Sequence, residues 1–366
     1  MPANESSRLQ LDEFTAQRRL YFSVTFQCKL RALTNWIRAV SAVMLRTNMR
    51  YLIVTNCTNR KSLKGLPWDF GPNVGSLDIQ GAAEEWVSYV ESVRSVEGNR
   101  IRVSDLYQGR SMTDVTRLSE CIRGTVFVVS AGMGLVSFND TVIPYNLSVS
   151  DRVNPLYLLL KRSGSTPAQW WSAIGALGFG AMSLARLTRS QPEVAVLMAL
   201  PSTYLAMVVE DLSTLSTHEL ERIRILTHPA SMDMLPQRLQ ELVMPYDERL
   251  QSIREFAGTR SDFAQRALSH FVLGLGAHEL PIESAKQAVT RAMERLGHVK
   301  LPTRRRAADE EILSHIADHW DRTNGHGNRL LRVLRDDLLI SCEQGRFQGL
   351  WRKYKAQMDG AKENVT

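Results

Sequence analysis

The chain has 366 residues, 44% of them hydrophobic, so it can bury a core large enough for two domains or one large one. Its formal net charge of +7 favours an acidic partner such as nucleic acid, without requiring one. Four widely separated cysteines form no CxxC pair, which argues against a disulfide framework or a zinc ribbon. Reduced thiols in a cytoplasmic protein fit this pattern better.

The N-terminal region predicts a helix and no targeting signal. Its first residues are polar and include acids, unlike a signal peptide. Apolar residues recur at three- and four-residue spacing within 8–46, which predicts an amphipathic helix with a basic face. The most membrane-like run, 170–185, is short and rich in Gly and Ala. It predicts a buried helix, so we expect no membrane partner.

Strands and helices alternate along most of the chain. Strands are predicted at 51–54, 99–103, 125–130 and 194–200, and helices at 81–93, 113–122, 167–187, 217–225, 234–243, 261–275 and 284–296. This alternation predicts an α/β fold, a wound and mostly parallel sheet with helical additions. Ligands bind such sheets outside the carboxyl ends of the strands. The polar turns that follow the strands are therefore expected to converge.

The basic run at 300–306 predicts a linker between an α/β domain, 1–299, and a helical domain, 300–366. Helices predicted at 309–320, 328–340 and 342–354 resemble a helix-turn-helix module, and a structural or oligomerisation unit is the alternative. The cations predicted to bind nucleic acid are Arg304, Arg305, Arg306, Arg329, Arg332, Arg335, Arg352 and Lys353.

The first strand-end turn carries a cysteine and a lysine four residues apart. Cys57 follows a buried strand and lies beside cationic residues and free backbone N–H donors, which favour a nucleophilic thiolate. Lys61 has the chemistry to hold a phosphate, activate the thiol or attack as an amine. The plainer interpretations are a structural cysteine and a solvated lysine. Asn56, Thr58 and Asn59 are candidate substrate-binding residues or simply turn formers.

Two further turns supply candidate residues. Asp105 and Asp140 are candidate catalytic acids or bases, and otherwise they are ordinary turn aspartates. The turn SAGMGL offers backbone N–H groups to an anion and room for a ligand to approach the backbone. The substrate-binding candidates from these turns are Tyr107, Ser130, Gly132, Gly134 and Tyr145.

No metal or cofactor is expected. His315 and His319 are spaced like the pair of a metalloprotease helix, but the Glu of that motif is missing. The glycine turn matches neither GxGxxG nor a P-loop, and the chain has no GxSxG nucleophile elbow.

Three ordered motifs nevertheless resemble a known family. They are Cys-Thr-Asn-Arg-Lys at 57–61, Asp-Leu-Tyr at 105–107, and Ser-Ala-Gly-Met-Gly-Leu at 130–135 followed by Ile-Pro-Tyr at 143–145. Together they resemble the YaaA-like group, and the Cys-x-x-x-Lys element is similar to one in the core domain of archaeosine synthase. The resemblance covers roughly residues 50–150.

This resemblance implies a fold related to uracil-DNA glycosylase and chemistry on the nitrile of a 7-deazaguanine base. Bacterial systems that place 7-deazaguanine in DNA fit the size and the basic charge of the chain, so DNA is the expected partner, together with other proteins of such a system. The hypothesis is that Cys57 adds to the nitrile as a thiolate, Lys61 and the glycine turn stabilise the developing charge, and Asp105 or Asp140 activates water. Attack by Lys61 is one alternative. A binding module for a nucleobase or DNA that makes no bond, in a modification, stress or phage-defence system, is another.

Overall fold

A computed structural model describes residues 51–66, 68, 70, 78–94, 100–179, 183–297 and 303–363. The helix predicted within 8–46, most of the loop at 67–77 and part of the linker at 300–306 lie outside the described residues. The chain divides into two compact units, Met1–Leu296 and Gly297–Thr366.

The first unit is built on a five-stranded sheet whose order is β4-β3-β1-β6-β7. Strand β1 lies between β3 and β6, and these pairs and β6–β7 are parallel, whereas β4 runs antiparallel to β3. The predicted α/β class with a mostly parallel sheet is therefore confirmed. The strands of both units are β1 (Tyr51–Asn56), β2 (Ile101–Arg102), β3 (Thr125–Ser130), β4 (Gly134–Ser137), β5 (Thr141–Val142), β6 (Ala195–Ala199), β7 (Ile223–Leu226), β8 (Arg305–Arg306) and β9 (Ile340–Ser341).

Helices cover both faces of the sheet. The α-helices of this unit are α1 (Ile79–Arg94), α2 (Val103–Leu106), α3 (Arg110–Ile122), α4 (Pro155–Ser163), α5 (Pro167–Ala176), α6 (Leu184–Ser190), α7 (Ser202–Ser213), α8 (Thr217–Leu220), α9 (Gln237–Gln240), α10 (Phe263–Ser269) and α11 (Ile282–Glu294). A π-helix at His270–Gly274 continues α10, and shorter 3₁₀ segments lie at Pro229–Met234, Glu248–Ser252, Arg254–Phe256, Arg260–Asp262 and Ala277–Glu279.

The side chains of β1 alternate between two hydrophobic cores, one on each face of the sheet. Leu52 and Val54 pack with α1, α5 and α7, whereas Tyr51 and Ile53 pack with α3, α10 and α11. Successive side chains of a strand point to opposite faces, so a fully buried strand serves both layers at once. The result is a helix–sheet–helix sandwich whose strand ends are free to carry a site.

Several predicted elements differ from the structure. The helix predicted at 217–225 is wrong beyond Leu220, because Ile223–Leu226 form β7 at the edge of the sheet. The helix predicted at 234–243 is reduced to the four residues of α9. The helix predicted at 167–187 is two, α5 and α6, with Trp170 and Trp171 buried. Among the described helices, none combines the length and the apolar character needed to cross a membrane.

The second unit is mainly helical. It contains α12 (Asp309–Asp318), α13 (Trp320–Thr323), α14 (Gly327–Arg332), a π-helix at Val333–Asp337 and α15 (Gln344–Glu363). The helix predicted at 328–340 ends earlier, and its last residue, Ile340, begins β9, which pairs in parallel with β8. A small separate core holds the unit together; it includes Ile312, Ile316, Leu330, Leu334 and Phe347.

Candidate active site at the carboxyl ends of the strands

Cys57 lies at the carboxyl end of the central strand. Its backbone N–H donates to Val129 O at 3.1 Å, which extends the β1–β3 pairing by one residue beyond β1. Its Sγ lies 3.2 Å from the hydroxyl of Tyr204, which stands in the first turn of α7, just after β6. The thiol is 3% exposed, so a ligand must enter the strand-end region to reach it.

Three buried hydroxyl groups lie close to this thiol. The hydroxyls of Tyr107 and Tyr145 are 2.7 Å apart, and Ser130 Oγ lies 2.6 Å from Tyr145 and 3.3 Å from Tyr107. Burial raises the pKa of both phenols, and a negative charge on Cys57 would raise the pKa of both further. The predicted residues Tyr107, Ser130 and Tyr145 are thus brought together as one network.

Lys61 covers this network. Its Nζ lies 4.7 Å from the ring centre of Tyr145 and 5.8 Å from that of Tyr107, distances that allow a cation–π interaction. A β-bridge between Lys61 and Tyr107 fixes its backbone. Burial lowers the pKa of Lys61, while the negative charge of a Cys57 thiolate acts against that shift. The lysine is therefore close enough for the charge of the thiol to affect it, and burial makes it a readier proton donor than an exposed lysine.

Cys57 and Tyr204 line a cleft of about 480 Å³. Five segments form it: the end of β1 and the turn after it, the start of α3, the segment before α4, the β6–α7 connection, and the segment that leads into α10. The lining residues are Asn56, Cys57, Thr58, Asn59, Arg110, Ser111, Ser150, Pro201, Thr203, Tyr204, Thr259, Ser261, Asp262 and Gln265.

The three polar neighbours of Cys57 differ in what they offer to a ligand. Asn56 Nδ2 donates to Cys57 O at 2.8 Å, and Asn56 Oδ1 accepts from Gln265. Thr58 Oγ1 is close to two carbonyls, at 2.7 Å from Arg60 O and 3.1 Å from Gln108 O. Asn59 is exposed and lines the cleft. Asn56 and Thr58 therefore first stabilise the turn, and Asn59 is the member free to meet a ligand.

The structure does not bring the two predicted catalytic carboxylates to the thiol. Asp105 is exposed and accepts from Arg102 Nε at 3.0 Å on the outside of α2. Asp140 accepts from Ser137 N at 2.7 Å in the turn after β4. Because β4 is antiparallel to β3, that turn lies at the opposite end of the sheet from Cys57. Asp140 is therefore not placed to activate water beside the thiol, and Asp105 is paired with Arg102 and is not among the cleft-lining residues.

Part of the glycine turn is engaged within the turn itself. Met133 N donates to Ser130 Oγ at 2.9 Å, and Gly134 pairs with Ser130 at the start of β4. A Cβ on Gly132 would meet the Tyr145 ring at 2.7 Å. Glycine is needed here because the ring of the hydroxyl network fills the space of a side chain.

The predicted cations of the second unit fall into two groups. Three of them are engaged: Arg304 with Asp336, Arg305 with Glu311, and Arg335 with Cys342 O. The other five, all exposed and with no such partner among the described residues, are Arg306, Arg329, Arg332, Arg352 and Lys353. The five cations of this second group are therefore the ones whose charge is available to bind a polyanion.

Two important residues of the cleft were not among the predicted site residues. Tyr204 belongs to the PSTYL segment, which a strand ending at Leu200 marks as a further strand-end turn. Gln265, 1% exposed, lies on α10 and has no motif that would single it out.

Comparison of the chain with protein-family models, with curated proteins and with solved structures found no match.

Proposed function

We propose that this protein hydrates the nitrile of a 7-cyano-7-deazaguanine base in DNA to the amide, using Cys57 as a nucleophile. The observation that carries the proposal is one juxtaposition. A buried thiol, hydrogen-bonded to Tyr204 and electrostatically coupled to Lys61, lines a cleft at the carboxyl ends of parallel strands. The same proposal includes a sheet related to that of uracil-DNA glycosylase.

The first chemical step forms a bond between Cys57 Sγ and the nitrile carbon. As the thiolate adds, one π bond of the nitrile breaks, and its nitrogen takes up a proton, which gives a neutral thioimidate. Tyr204 or Lys61 supplies that proton. A lysine whose pKa is lowered by burial releases a proton more readily than an exposed one.

The second step consumes water. Neutral Lys61 accepts a proton from water as its oxygen adds to the thioimidate carbon. Lys61 then passes that proton to the nitrogen, which becomes an amino group. Collapse of the tetrahedral intermediate expels the Cys57 thiolate, the hydroxyl proton goes to Lys61, and the amide remains, so the net change is the addition of one water. This assignment replaces Asp105 and Asp140, which lie away from the thiol.

The DNA base reaches a cleft of this kind only after leaving the stack, so we propose that it is flipped. The five unengaged cations of the second unit are proposed to bind DNA phosphates. The cleft volume of about 480 Å³ supports a ligand of nucleobase size or larger.

A non-catalytic base-binding protein is the second candidate. The observation in its favour is that the thiol is 3% exposed and that neither Asp105 nor Asp140 lies beside it. Under this alternative Cys57 and Tyr204 shape the base pocket and no bond forms.

The deciding experiment is mass spectrometry of nucleosides from DNA that contains 7-cyano-7-deazaguanine, before and after incubation with the protein. We expect a mass gain of one water, which Cys57→Ala abolishes while DNA binding is retained. Cys121→Ala is the matched control, because Cys121 is exposed on α3 and away from the cleft. Full turnover by Cys57→Ala would eliminate the thiol mechanism, and no product with the unmodified protein would favour the binding module.

A further inference from the structure

The cleft receives part of its lining from a segment far along the chain from Cys57. Thr259, Ser261, Asp262 and Gln265 contribute to it, and Gln265 hydrogen-bonds the residue that precedes Cys57. Arg266 anchors the segment: it pairs with Asp262 at 2.7 Å and donates to Phe256 O and Thr259 O. This wall of the cleft is therefore held in place before any ligand arrives.

The amide of Gln265 has a defined orientation. Its Nε2 lies 3.0 Å from Ala199 O, an atom that can only accept, and 2.8 Å from Asn56 Oδ1. A third neighbour of Nε2 is the Thr55 hydroxyl at 3.0 Å, which is able to accept or to donate. Asn56 Oδ1 is also an acceptor, because Asn56 Nδ2 donates to Cys57 O. An amide nitrogen has two protons, and both are committed to these acceptors. The carbonyl oxygen Oε1 must then point away from them.

That oxygen has no partner. Gln265 is 1% exposed, and Oε1 is buried without a hydrogen bond to any residue that the structure describes. Most buried polar atoms in folded proteins are hydrogen-bonded, and leaving one unpaired costs free energy. Because Gln265 lines the cleft, a donor on a bound ligand is one way in which this unpaired acceptor becomes satisfied.

The remaining charge of the cleft favours the same kind of ligand. Arg110, the cation in the lining, has already donated to Ala257 O at 2.5 Å and to Glu255 O at 3.0 Å. The carboxylate of Asp262 lines the same wall as Gln265. One oxygen of that carboxylate already accepts from Arg266, so the wall presents its other oxygen and Gln265 Oε1 as acceptors, while Arg110 is held by the protein.

We infer that Gln265 Oε1, with Asp262 beside it, accepts hydrogen bonds from the N–H edge of a guanine-type base and sets the base specificity of the cleft. Guanine-type bases present a ring N–H and an adjacent amino group, whereas adenine-type bases present a ring lone pair to the same position. This inference rests on the proposed function, since it names the residues that would select its substrate. A ligand must enter the cleft fully to reach an amide this deeply buried.

The test measures binding and not turnover, so that it is separate from the nitrile chemistry. In the Cys57→Ala protein, affinities are compared for oligonucleotides that carry 7-cyano-7-deazaguanine or the corresponding 7-cyano-7-deazaadenine. We expect a preference of about tenfold to hundredfold for the guanine-type base. Gln265→Met, which keeps the length and removes the acceptor, should reduce that preference to less than threefold, chiefly by weakening the guanine-type complex.

Gln287→Met, the same change at an exposed residue of α11 outside the cleft lining, is the control and should leave the preference unchanged. An unchanged preference in Gln265→Met would overturn the inference and show that Oε1 does not select the base. The proposal that the wild-type protein hydrates the nitrile would not be affected by that result. If Gln265→Met fails to fold, the measurement on the Cys57→Ala protein with Gln265 retained decides. Equal affinity of that protein for the two bases would overturn the inference. Preference for the guanine-type base without any hydration would support the inference and refute the hydratase proposal.

Discussion

The hydrogen bond between Tyr204 and Cys57 makes the reactivity of this thiol testable without a substrate. A phenol that donates to a sulfur stabilises the thiolate, and a hydrogen bond to a charged group contributes about 1.5–3 kcal/mol. We therefore expect Tyr204→Phe to slow alkylation of Cys57 by iodoacetamide about tenfold at neutral pH, measured by mass spectrometry of peptides. Cys121, exposed on α3, is the internal control in the same sample. An equal or faster rate at Cys57 would show that the phenol does not stabilise the thiolate.

The sequence predicted the site residues that lie in strand-end turns. It did not predict those that contacts between distant parts of the chain bring to the site. Cys57 and Lys61 directly follow β1, and Ser130 ends β3, so their convergence follows from the parallel sheet alone. Gln265 reaches the site because α10 packs across the sheet, a contact that no local pattern encodes. The predicted position of Asp140 beside Cys57 was wrong because strand β4 was not predicted. This strand follows the glycine turn and runs antiparallel to β3, so Asp140 lies at the far end of the sheet.

At the scale of elements, the β3–β4 turn is predicted to be intolerant of a methyl group. In Gly132→Ala the new Cβ would meet the Tyr145 ring at 2.7 Å and Trp86 at 3.1 Å, and both rings are buried. Overpacking of this kind costs about 1–3 kcal/mol, so we expect that loss in the free energy of unfolding in urea. Gly175→Ala is the matched control, because nothing lies within 4 Å of its Cβ position in α5. A loss no larger in Gly132→Ala than in the control would contradict this account.

The π-helix that continues α10 gives the first unit an acid sensitivity. Burial lowers the pKa of His270 to about 4, and its Nδ1 lies 2.9 Å from the Tyr246 hydroxyl. The unfolded chain takes up this proton near pH 6.5 and the folded chain does not, so stability falls as the pH drops from about 6.5 to about 4.

Between pH 7 and pH 5 His270 should account for a loss of about 2 kcal/mol, which His270→Gln removes. The measurement is the free energy of unfolding of both proteins at the two pH values. His218→Gln, at a side chain that is 89% exposed, is the control and should keep the wild-type loss. The same loss in His270→Gln as in the wild type would mean that this histidine is charged in the folded protein.

Edge elements were the least predictable part of the fold. The stretch that forms α8 and β7 has apolar residues at Leu220 and Ile223, three apart, which is also the spacing of a helix. A short apolar run does not distinguish a strand from a helix, and only pairing with β6 decides it. Strands β1 and β3 avoid this ambiguity, because they are largely buried and rich in β-branched residues.

For the whole molecule, the proposed division of labour assigns phosphate binding to the second unit and chemistry to the first. Arg329 and Arg332 of α14 are exposed and without a described partner, whereas Arg304 is engaged by Asp336 and by Arg335 O. Each phosphate contact contributes about 0.9 to the slope of log affinity against log salt concentration. The double variant Arg329→Gln/Arg332→Gln should therefore lower the slope for duplex DNA by about 2.

Fluorescence anisotropy at a series of salt concentrations measures this slope, and Arg304→Gln is the control that should change it less. Circular dichroism of each variant establishes that the second unit is still folded, since its core lies in Leu330, Leu334 and Phe347 and not in the substituted arginines. An unchanged slope in the double variant would remove α14 from the DNA-binding surface. The charge that binds DNA would then have to come from other basic residues of the chain, and the helical unit would keep only the structural or oligomerisation role.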